Sequence, residues 1–360
     1  MTAASEYKLS PGNPQIESAG VIAFGPDDVL FIADNHNARI VALDVADPSP
    51  SDVVTPVSIE NLDAQLASVL GCATTDVALR GMAVHPRTNN VYLSVMTARP
   101  ALVRVDSATG AMSEVALDNV AFSTFTIDNA PALDDTRTDI RLGEGEEVEY
   151  NGRKFRMSRP PVRQSTVTDM AYVDGTLLVA GLSNEEFSSN LRKVPFPFSG
   201  AMDATSLEIF HVAHGKWETA APIRTFIPYG DGASILASYT CTPLVHFPLA
   251  DLTAGAKATG RTVAELGAGN QPLDIVAFKQ GDAEYVLVSH STHQLMKIAC
   301  ADIDSQAGLT EPQNPVGVPR SNPEIRGLSL MANLNGEYIV GVQADKEGVR
   351  HLRTLETASV

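Results

Sequence analysis

The stretch GVIAFGPDDVLFIADNHNARIVALD, residues 20–44, decides the fold. It runs from a short apolar segment through a Gly/Pro/Asp turn to an apolar, β-rich segment, and then through a polar loop to another β-rich segment. Short apolar runs bounded by turn residues are typical of buried β-strands. The stretch therefore predicts three consecutive antiparallel strands.

The same pattern recurs five more times along the chain. The further copies start at Gly81, Asp169, Phe226, Asp274 and Gly327, and successive starts lie 61, 88, 57, 48 and 53 residues apart. A four-stranded propeller blade needs roughly 40 to 50 residues. Most copies are followed by an alternating segment suited to an outer fourth strand: VVTPVSIENL, MSEVALD, SLEIFHVA and RTVAELG. The chain is thus predicted to be all-β, a six-bladed β-propeller forming a single domain over residues 1–360.

Three segments lie outside this repeat. The sixth copy lacks an outer strand, and we expect residues 5–10 (SEYKLS) to complete that last blade and close the ring. Residues 63–79 are predicted to begin with a short helix, because Leu66, Val69 and Leu70 follow helical spacing. Residues 120–165 form a long insertion between blades two and three, read either as a lid over the ring or as a surface hairpin.

Composition narrows the possible functions. There are 26 Lys and Arg against 43 Asp and Glu, a formal charge of −17, which argues against nucleic-acid binding. The hydrophobic fraction of 44% is ample for a core, whereas no apolar run is long enough for a membrane span. Cys72, Cys241 and Cys300 are too widely spaced for a disulfide framework or a thiolate zinc site. The N-terminus lacks signal-peptide features, and the acidic balance favours a secreted or periplasmic processed chain over a cytoplasmic one.

The passage VLFIADNHNARIVALD, residues 29–44, resembles the signature of NHL repeats, and the blades resemble those of the gluconolactonase/senescence-marker-protein group. That resemblance implies a six-bladed propeller. It also implies a divalent cation, usually calcium or zinc, held in the central channel by Glu, Asn and Asp from the inner-strand ends. At the corresponding positions of this chain only Asp169 and Asp274 could be ligands, and Glu and Asn are absent.

Propeller topology sorts the loops by face. Loops between second and third strands share one rim with the connections between blades, so residues on both should surround one mouth of the channel. Four histidines fall on these loops and are candidate metal ligands: His36, His214, His290 and His293. His211 is predicted to lie in an outer strand, so only His214 of that pair should reach the mouth. Metal binding and simple hydrogen bonding to loop backbone remain alternatives.

Charged residues at the inner-strand starts are the candidate catalytic groups. Asp169 and Asp274 face the channel or its rim, with Arg80 and Arg326 at neighbouring positions of the pattern. They predict either an anion clamp with one aspartate as general base, or an ion-pair ring that ties the blades together.

A further set of rim residues could contact a substrate: Glu185, Glu186, Trp217, Glu218 and Arg224. For the two glutamates the alternative is a solvated loop, and for Trp217 an ordinary loop anchor. Cys241 lies in a rim loop without an assigned base, which favours a packed residue over a nucleophile.

Three functions follow from these residues. The first is a metal-dependent enzyme at the channel mouth, acting on a small-molecule lactone or ester with a bound calcium, zinc or copper ion. The second is a non-catalytic propeller that binds a ligand or a protein. The third is a redox protein whose histidines hold copper or haem, the latter non-covalently because there is no CxxCH motif.

Overall fold

The computed structural model describes residues 3–47, 56–137, 145–150, 153–158, 161–240, 242–267, 270–313 and 316–360. The strands up to the insertion are β1 (Ser10–Gly12), β2 (Ile22–Phe24), β3 (Val29–Asp34), β4 (Arg39–Asp44), β5 (Ala78–Val84), β6 (Val91–Met96), β7 (Pro100–Val105), β8 (Met112–Glu114) and β9 (Val120–Thr126). Those of the insertion and the next blade are β10 (Gly145–Tyr150), β11 (Arg153–Ser158), β12 (Asp169–Val173), β13 (Thr176–Leu182), β14 (Ser189–Pro195), β15 (Asp203–His211) and β16 (Lys216–Glu218).

The remaining strands are β17 (Ile223–Tyr229), β18 (Ser234–Tyr239), β19 (Pro243–Pro248), β20 (Lys257–Thr259), β21 (Arg261–Glu265), β22 (Pro272–Gln280), β23 (Ala283–His290), β24 (Met296–Ala299), β25 (Val316–Gly317), β26 (Leu328–Leu334), β27 (Tyr338–Ala344) and β28 (Arg350–Glu356). The α-helices are α1 (Ala3–Glu6), α2 (Leu62–Leu70) and α3 (Cys300–Ser305). Short 3-10 helices cover Thr74–Asp76, Val162–Ser165, Val212–His214, Leu249–Asp251 and Thr357–Ser359. Among the described residues, no helix has the length and apolar character needed to cross a bilayer.

These strands form the predicted six-bladed β-propeller. Each predicted copy begins on or directly beside an inner strand: β2, β5, β12, β17, β22 and β26. From each of them the sheet continues outward through an antiparallel meander, and β8, β15 and β21 are the outer strands expected from MSEVALD, SLEIFHVA and RTVAELG. Alternating apolar residues of neighbouring blades meet in the core clusters between them.

The blades do not follow one another around the ring in chain order. The inner strands contact each other in the order β2, β12, β17, β22, β26 and β5, and β5 returns to β2. Blade two therefore lies between blades six and one. The chain leaves blade one after β4, builds blade two, and returns with β9, which pairs with β4 as the fourth strand of blade one.

The predicted ring closure is wrong in its detail. The N-terminal strand is β1, which pairs with β9 at the outer edge of blade one, not with blade six. Residues 57–59 lie at the edge of blade six instead, where Ile59 and Leu352 exchange main-chain hydrogen bonds of 2.9 and 3.0 Å. A segment from the early part of the chain thus closes the last blade. It is the later half of VVTPVSIENL, which the pattern had assigned to blade one.

The helix predicted within residues 63–79 is confirmed as α2. Gly71 ends it with a left-handed backbone, φ 65°, and its N–H donates to the carbonyl of Ala67. Leu62 and Leu66 are fully buried in the core that blades two and six share. The helix therefore packs into the junction between blades two and six.

The long insertion starts later than predicted, because β9 belongs to blade one. Its centre contains the antiparallel hairpin β10–β11. At its base, Arg163 donates to the carbonyls of Asn35 and His36, and Asn35 Nδ2 donates to the carbonyl of Val167. These bonds fix the insertion's root to the second-to-third-strand loop of blade one.

Candidate metal centre at the junction of blades three and four

A tight turn at the end of β15 brings three potential ligands together. β15 ends at His211, the 3-10 turn Val212–His214 follows, and β16 returns antiparallel with His211 opposite Lys216. Gly215 has a φ of 62°, a left-handed conformation that glycine adopts without strain. His211 and Glu218 consequently lie on one side of the hairpin, and His214 projects from the turn beside them.

Glu218 bridges the two imidazoles. His211 Nδ1 lies 2.9 Å from Glu218 Oε2, and His214 Nδ1 lies 2.7 Å from Glu218 Oε1. The ring centroids of His211 and His214 are 3.8 Å apart. Lys216 Nζ is 3.3 Å from Glu218 Oε1 at the solvent side. The two Nδ1 atoms therefore face the two oxygens of one carboxylate.

Burial and charge set the protonation of this group. Burial acts to raise the pKa of Glu218, but hydrogen bonds and charge from His211 and His214 outweigh it, so the pKa is lowered and the group is a carboxylate. The His211 side chain is 2% exposed and that of His214 is 22% exposed. The centre is thus closed on the blade side and open to solvent at His214.

Glu265 enters from the neighbouring blade. It ends β21 of blade four, and its Oε2 accepts a hydrogen bond from the Ala213 N–H at 3.2 Å. The same oxygen lies 3.8 Å from His211 Nε2. Burial raises the pKa of Glu265 to about 7, with the nearby carboxylate of Glu218 adding to the rise.

The chemistry of this donor set fits a divalent metal ion. One ligand atom from each of His211, His214 and Glu218 lies within 4.8 Å of the other two, and within the described part of the chain this is the only such group of three. Two imidazoles and one carboxylate suit zinc or copper better than calcium, which prefers oxygen ligands. Three protein ligands would leave a coordination position for a further group.

Trp217 lies on the other face of the same hairpin. It is paired with Phe210 across the strands, and their rings meet edge to face with centroids 5.3 Å apart. The indole is 47% exposed. Of the predicted substrate contacts, Glu218 and Trp217 therefore point in opposite directions and do not share one pocket.

The two predicted channel aspartates are saturated by hydrogen bonds. Asp169 accepts the N–H groups of Met170 and Phe226, both at 2.8 Å. Asp274 accepts the N–H groups of Ile275 and Met331 at 2.8 and 2.7 Å. Each carboxylate therefore ties its own inner strand to the inner strand of the next blade.

The two aspartates also interact electrostatically, and Thr225 lies close to both. Thr225 Oγ1 of blade four donates to Asp274 Oδ1 at 3.3 Å. Burial raises the pKa of Asp169 to about 6. Burial, followed by the charge of Asp169, raises that of Asp274 to about 7.

The predicted arginines do not join these aspartates. Arg80 and Arg326 are exposed, and neither forms an ion pair with the described residues. Arg224 is partly buried on β17, next to Thr225. The expected ion-pair ring is therefore not seen among the described residues; hydrogen bonds from Asp169 and Asp274 to main-chain N–H groups connect neighbouring inner strands at two junctions instead.

The other predicted histidines lie apart from the centre. His36 Nε2 is 3.1 Å from Glu17 Oε2 on the exposed rim of blade one. His290 and His293 lie on blade five with ring centroids 6.3 Å apart, and burial lowers the pKa of His290 to about 4. Among the described residues none of these three belongs to a three-ligand group.

The predicted loop residues of blade three are exposed. Glu185 and Glu186 lie in the loop after β13, where Ser206 Oγ donates to Glu185 Oε2 at 3.3 Å. Their exposure agrees with the solvated-loop alternative and leaves both side chains accessible to a substrate. Cys241 lies outside the described residues.

Sequence reasoning missed His211 and Glu265. His211 was set aside because an outer strand should carry it away from the mouth, yet that strand ends at His211 and its side chain meets His214. The spacing His-x2-His-x3-Glu with Gly215 inside was the available signal, since a glycine turn folds such a segment back on itself. Nothing in RTVAELG marks Glu265 as a partner of a segment 50 residues earlier.

Comparisons with known proteins add little beyond these observations. No protein-family model and no curated protein sequence matches the chain. Among solved structures, it is similar to a chain of a mitotic checkpoint complex (9% identity, TM-score 0.40, 99% of this chain and 96% of that one). It is also similar to the Cps50 (Swd1) β-propeller domain of Myceliophteria thermophila (10% identity, TM-score 0.38, 94% and 84%). A third similar structure is the dihydro-heme d1 dehydrogenase NirN (13% identity, TM-score 0.35, 91% and 52%).

Proposed function

We propose that this propeller is a metal-dependent enzyme whose ion is held by His211, His214 and Glu218 at the junction of blades three and four. The observation that carries the proposal is the convergence of these three ligand atoms within 4.8 Å on one glycine-containing turn. The proposed site lies on the outer strands of blade three and not at the channel mouth, because the channel aspartates are already engaged by main-chain N–H groups. Hereafter, the rim means this outer junction of blades three and four.

Hydrolysis is the reaction class that this arrangement favours. When bound, a zinc ion supplies a Lewis acid and lowers the pKa of water that it binds. The residues of the chain supply the rest: Glu218 keeps both imidazoles oriented, and the partly exposed His214 leaves the centre accessible from solvent. Three protein ligands with an accessible side are the usual arrangement of catalytic zinc sites.

A lactone or ester is the proposed substrate class, and it rests on the resemblance of the blades to those of the gluconolactonase group; residues 29–44 carry the NHL-like signature. In the fold, residues 29–44 form strands β3 and β4 and the loop between them. Asp34 is fully buried and accepts hydrogen bonds from Ser18, Asn37 and Arg39. The signature residues therefore support the propeller structure of blade one, and we assign the chemistry to His211, His214 and Glu218.

A non-catalytic binding propeller is the second candidate. Its support is Trp217, an exposed indole on the face of the hairpin opposite the metal ligands. Exposed tryptophan is a common anchor in binding surfaces. On this proposal the ion would stiffen the hairpin that presents the indole, and no hydrolysis would depend on it.

The test uses the purified full chain loaded with zinc, calcium or copper and dialysed before elemental analysis. We expect close to one zinc per chain, hydrolysis of some members of a lactone and ester panel, and loss of both in His214→Ala. His36→Ala is the matched control, because His36 is an exposed histidine that also pairs with a glutamate, Glu17, but lies on blade one, away from the proposed centre. Zinc binding without hydrolysis would favour the binding propeller, tight copper with a visible absorption band the redox alternative, and no bound metal would overturn the proposal.

A further inference from the structure

His211 lies between two carboxylates from different blades. Its Nδ1 faces Glu218 Oε2 at 2.9 Å, and its Nε2 faces Glu265 Oε2 at 3.8 Å. The imidazole is almost wholly buried, so the protein and not bulk water determines which nitrogen carries the proton. The identity of that nitrogen decides whether His211 can bind a metal through Nδ1.

Metal binding through Nδ1 requires the proton on Nε2. A neutral imidazole has one N–H donor and one lone-pair nitrogen, and only the latter can bind a metal ion. Without metal, Nδ1–H can donate to Glu218. With metal at Nδ1, the N–H moves to Nε2, where a buried donor needs an acceptor.

Glu265 is placed to be that acceptor. Its side chain is 8% exposed, and its Oε1 is buried without a hydrogen-bond partner among the described residues. Its other oxygen is fixed by the Ala213 N–H, which belongs to the turn between the two histidines. The bond to Ala213 holds the carboxylate beside the His211 ring, with Oε2 3.8 Å from Nε2, and Oε1 keeps its capacity to accept a further hydrogen bond.

We propose that Glu265 of blade four is the positioning residue of the metal centre: it accepts a hydrogen bond from the Nε2–H of His211 and so holds that ring in the form that binds metal through Nδ1. Carboxylates behind metal-binding histidines commonly have this role. The inference rests on the proposed function, since it needs metal at His211. It adds that the centre depends on two blades, so that blade four controls a ligand set carried by blade three.

The experiment measures zinc affinity by competition with a chromophoric chelator in wild type, Glu265→Gln and Glu265→Ala. We expect roughly 10- to 100-fold weaker binding in Glu265→Ala. Glu265→Gln should lose less, because its amide oxygen can still accept from Nε2–H. Glu208→Ala is the control, since it also removes a glutamate from this blade junction, one that pairs with Lys257 and does not contact the centre. Circular dichroism and thermal unfolding establish that each variant is folded.

A spectroscopic measurement separates positioning from simple stabilisation. Long-range 1H–15N NMR of histidine-labelled protein should show His211 with Nε2–H in the zinc form of wild type, with altered Nε2 shifts in Glu265→Gln. Affinity and shifts unchanged in the folded Glu265 variants, while His214→Ala abolishes binding, would overturn the inference alone. Failure of wild type to bind zinc would overturn the proposed function together with it.

Discussion

The channel and the rim both contain buried or partly buried carboxyl groups, but the pKa shifts and the hydrogen-bond partners of these groups differ. At the channel, Asp169 and Asp274 have raised pKa values of about 6 and 7, yet every carboxylate oxygen already accepts a hydrogen bond. At the rim, Glu218 has a lowered pKa and faces two imidazoles that can exchange a proton for a metal ion. Perturbed carboxyl groups mark both regions, but only the rim offers more than one kind of ligand.

The difference shows that a pKa shift alone does not identify a site. Burial raises the pKa of a carboxyl group whether it ties two strands together or serves a reaction. The partners distinguish the two regions: the channel aspartates accept hydrogen bonds from main-chain N–H groups of the next blade, whereas Glu218 faces two imidazoles. If this distinction is right, substitutions at the channel should change the free energy of unfolding, and substitutions at the rim should change zinc affinity.

The largest expected effect is on stability at the channel. Asp274→Ala removes the acceptor for the N–H groups of Ile275 and Met331 and for the Thr225 hydroxyl. Leaving buried donors without partners should lower the free energy of unfolding by about 2–4 kcal/mol, measured by urea denaturation. Zinc affinity should not change.

Asp282→Ala is the matched control, because Asp282 is an exposed aspartate in the turn of the same blade. It should change the free energy of unfolding by less than about 0.5 kcal/mol. Loss of zinc binding in Asp274→Ala without loss of stability would reverse the roles of the two regions.

Zinc should stabilise the folded protein through the rim. At a free zinc concentration 100 times the dissociation constant, the gain in free energy of unfolding is about 2.7 kcal/mol if the unfolded chain does not bind the ion. We expect that gain in thermal or urea unfolding of wild type, and its absence in His214→Ala. An equal gain in both proteins would place the ion elsewhere.

The channel aspartates should make stability fall as the pH rises. The folded pKa values of Asp169 and Asp274, about 6 and 7, lie above their ordinary value of 3.8, so the folded state binds more protons than the unfolded state between these limits. Their contribution is therefore full below pH of about 4 and is lost as the pH passes the folded values.

We expect the two aspartates together to lose about 4 kcal/mol of their contribution to the free energy of unfolding between pH 5 and pH 8, measured in urea. Glu265, with its pKa also raised to about 7, adds a slope of the same sign. Replacing both aspartates by asparagine should remove their share and leave that of Glu265. A double variant with the wild-type slope would contradict this assignment.

The blade cores could be predicted from the sequence because their signal is local. Each inner strand and its turn lie within about 25 consecutive residues, and alternation along such a stretch reports directly on burial. The helix α2 was equally visible from Leu66 and Leu70. The order of the blades was not visible, because it depends on which surfaces of finished blades pack together.

Ring closure shows the same limit. Residues 5–10 were expected to complete blade six, but β1 begins only at Ser10 and pairs with blade one. The pairing of Ile59 with Leu352 joins residues 293 positions apart, so no local pattern specifies it. Glu265 was missed for the same reason, since its approach to His211 forms only when blades three and four pack. The spacing of His211, His214 and Glu218 is local and was available in the sequence.

The smallest expected effect is at Trp217, and it tests whether the two faces of the β15–β16 hairpin are independent. Trp217→Ala removes the edge-to-face contact with Phe210 but no contact with the metal ligands on the other face. We expect a loss of about 0.5–1.5 kcal/mol in the free energy of unfolding and no change in zinc affinity. A tenfold loss of zinc affinity in a folded Trp217→Ala protein would mean that the indole fixes the turn carrying His214. The two faces of the hairpin would then not be independent, and metal binding would depend on the packing of Trp217 against Phe210.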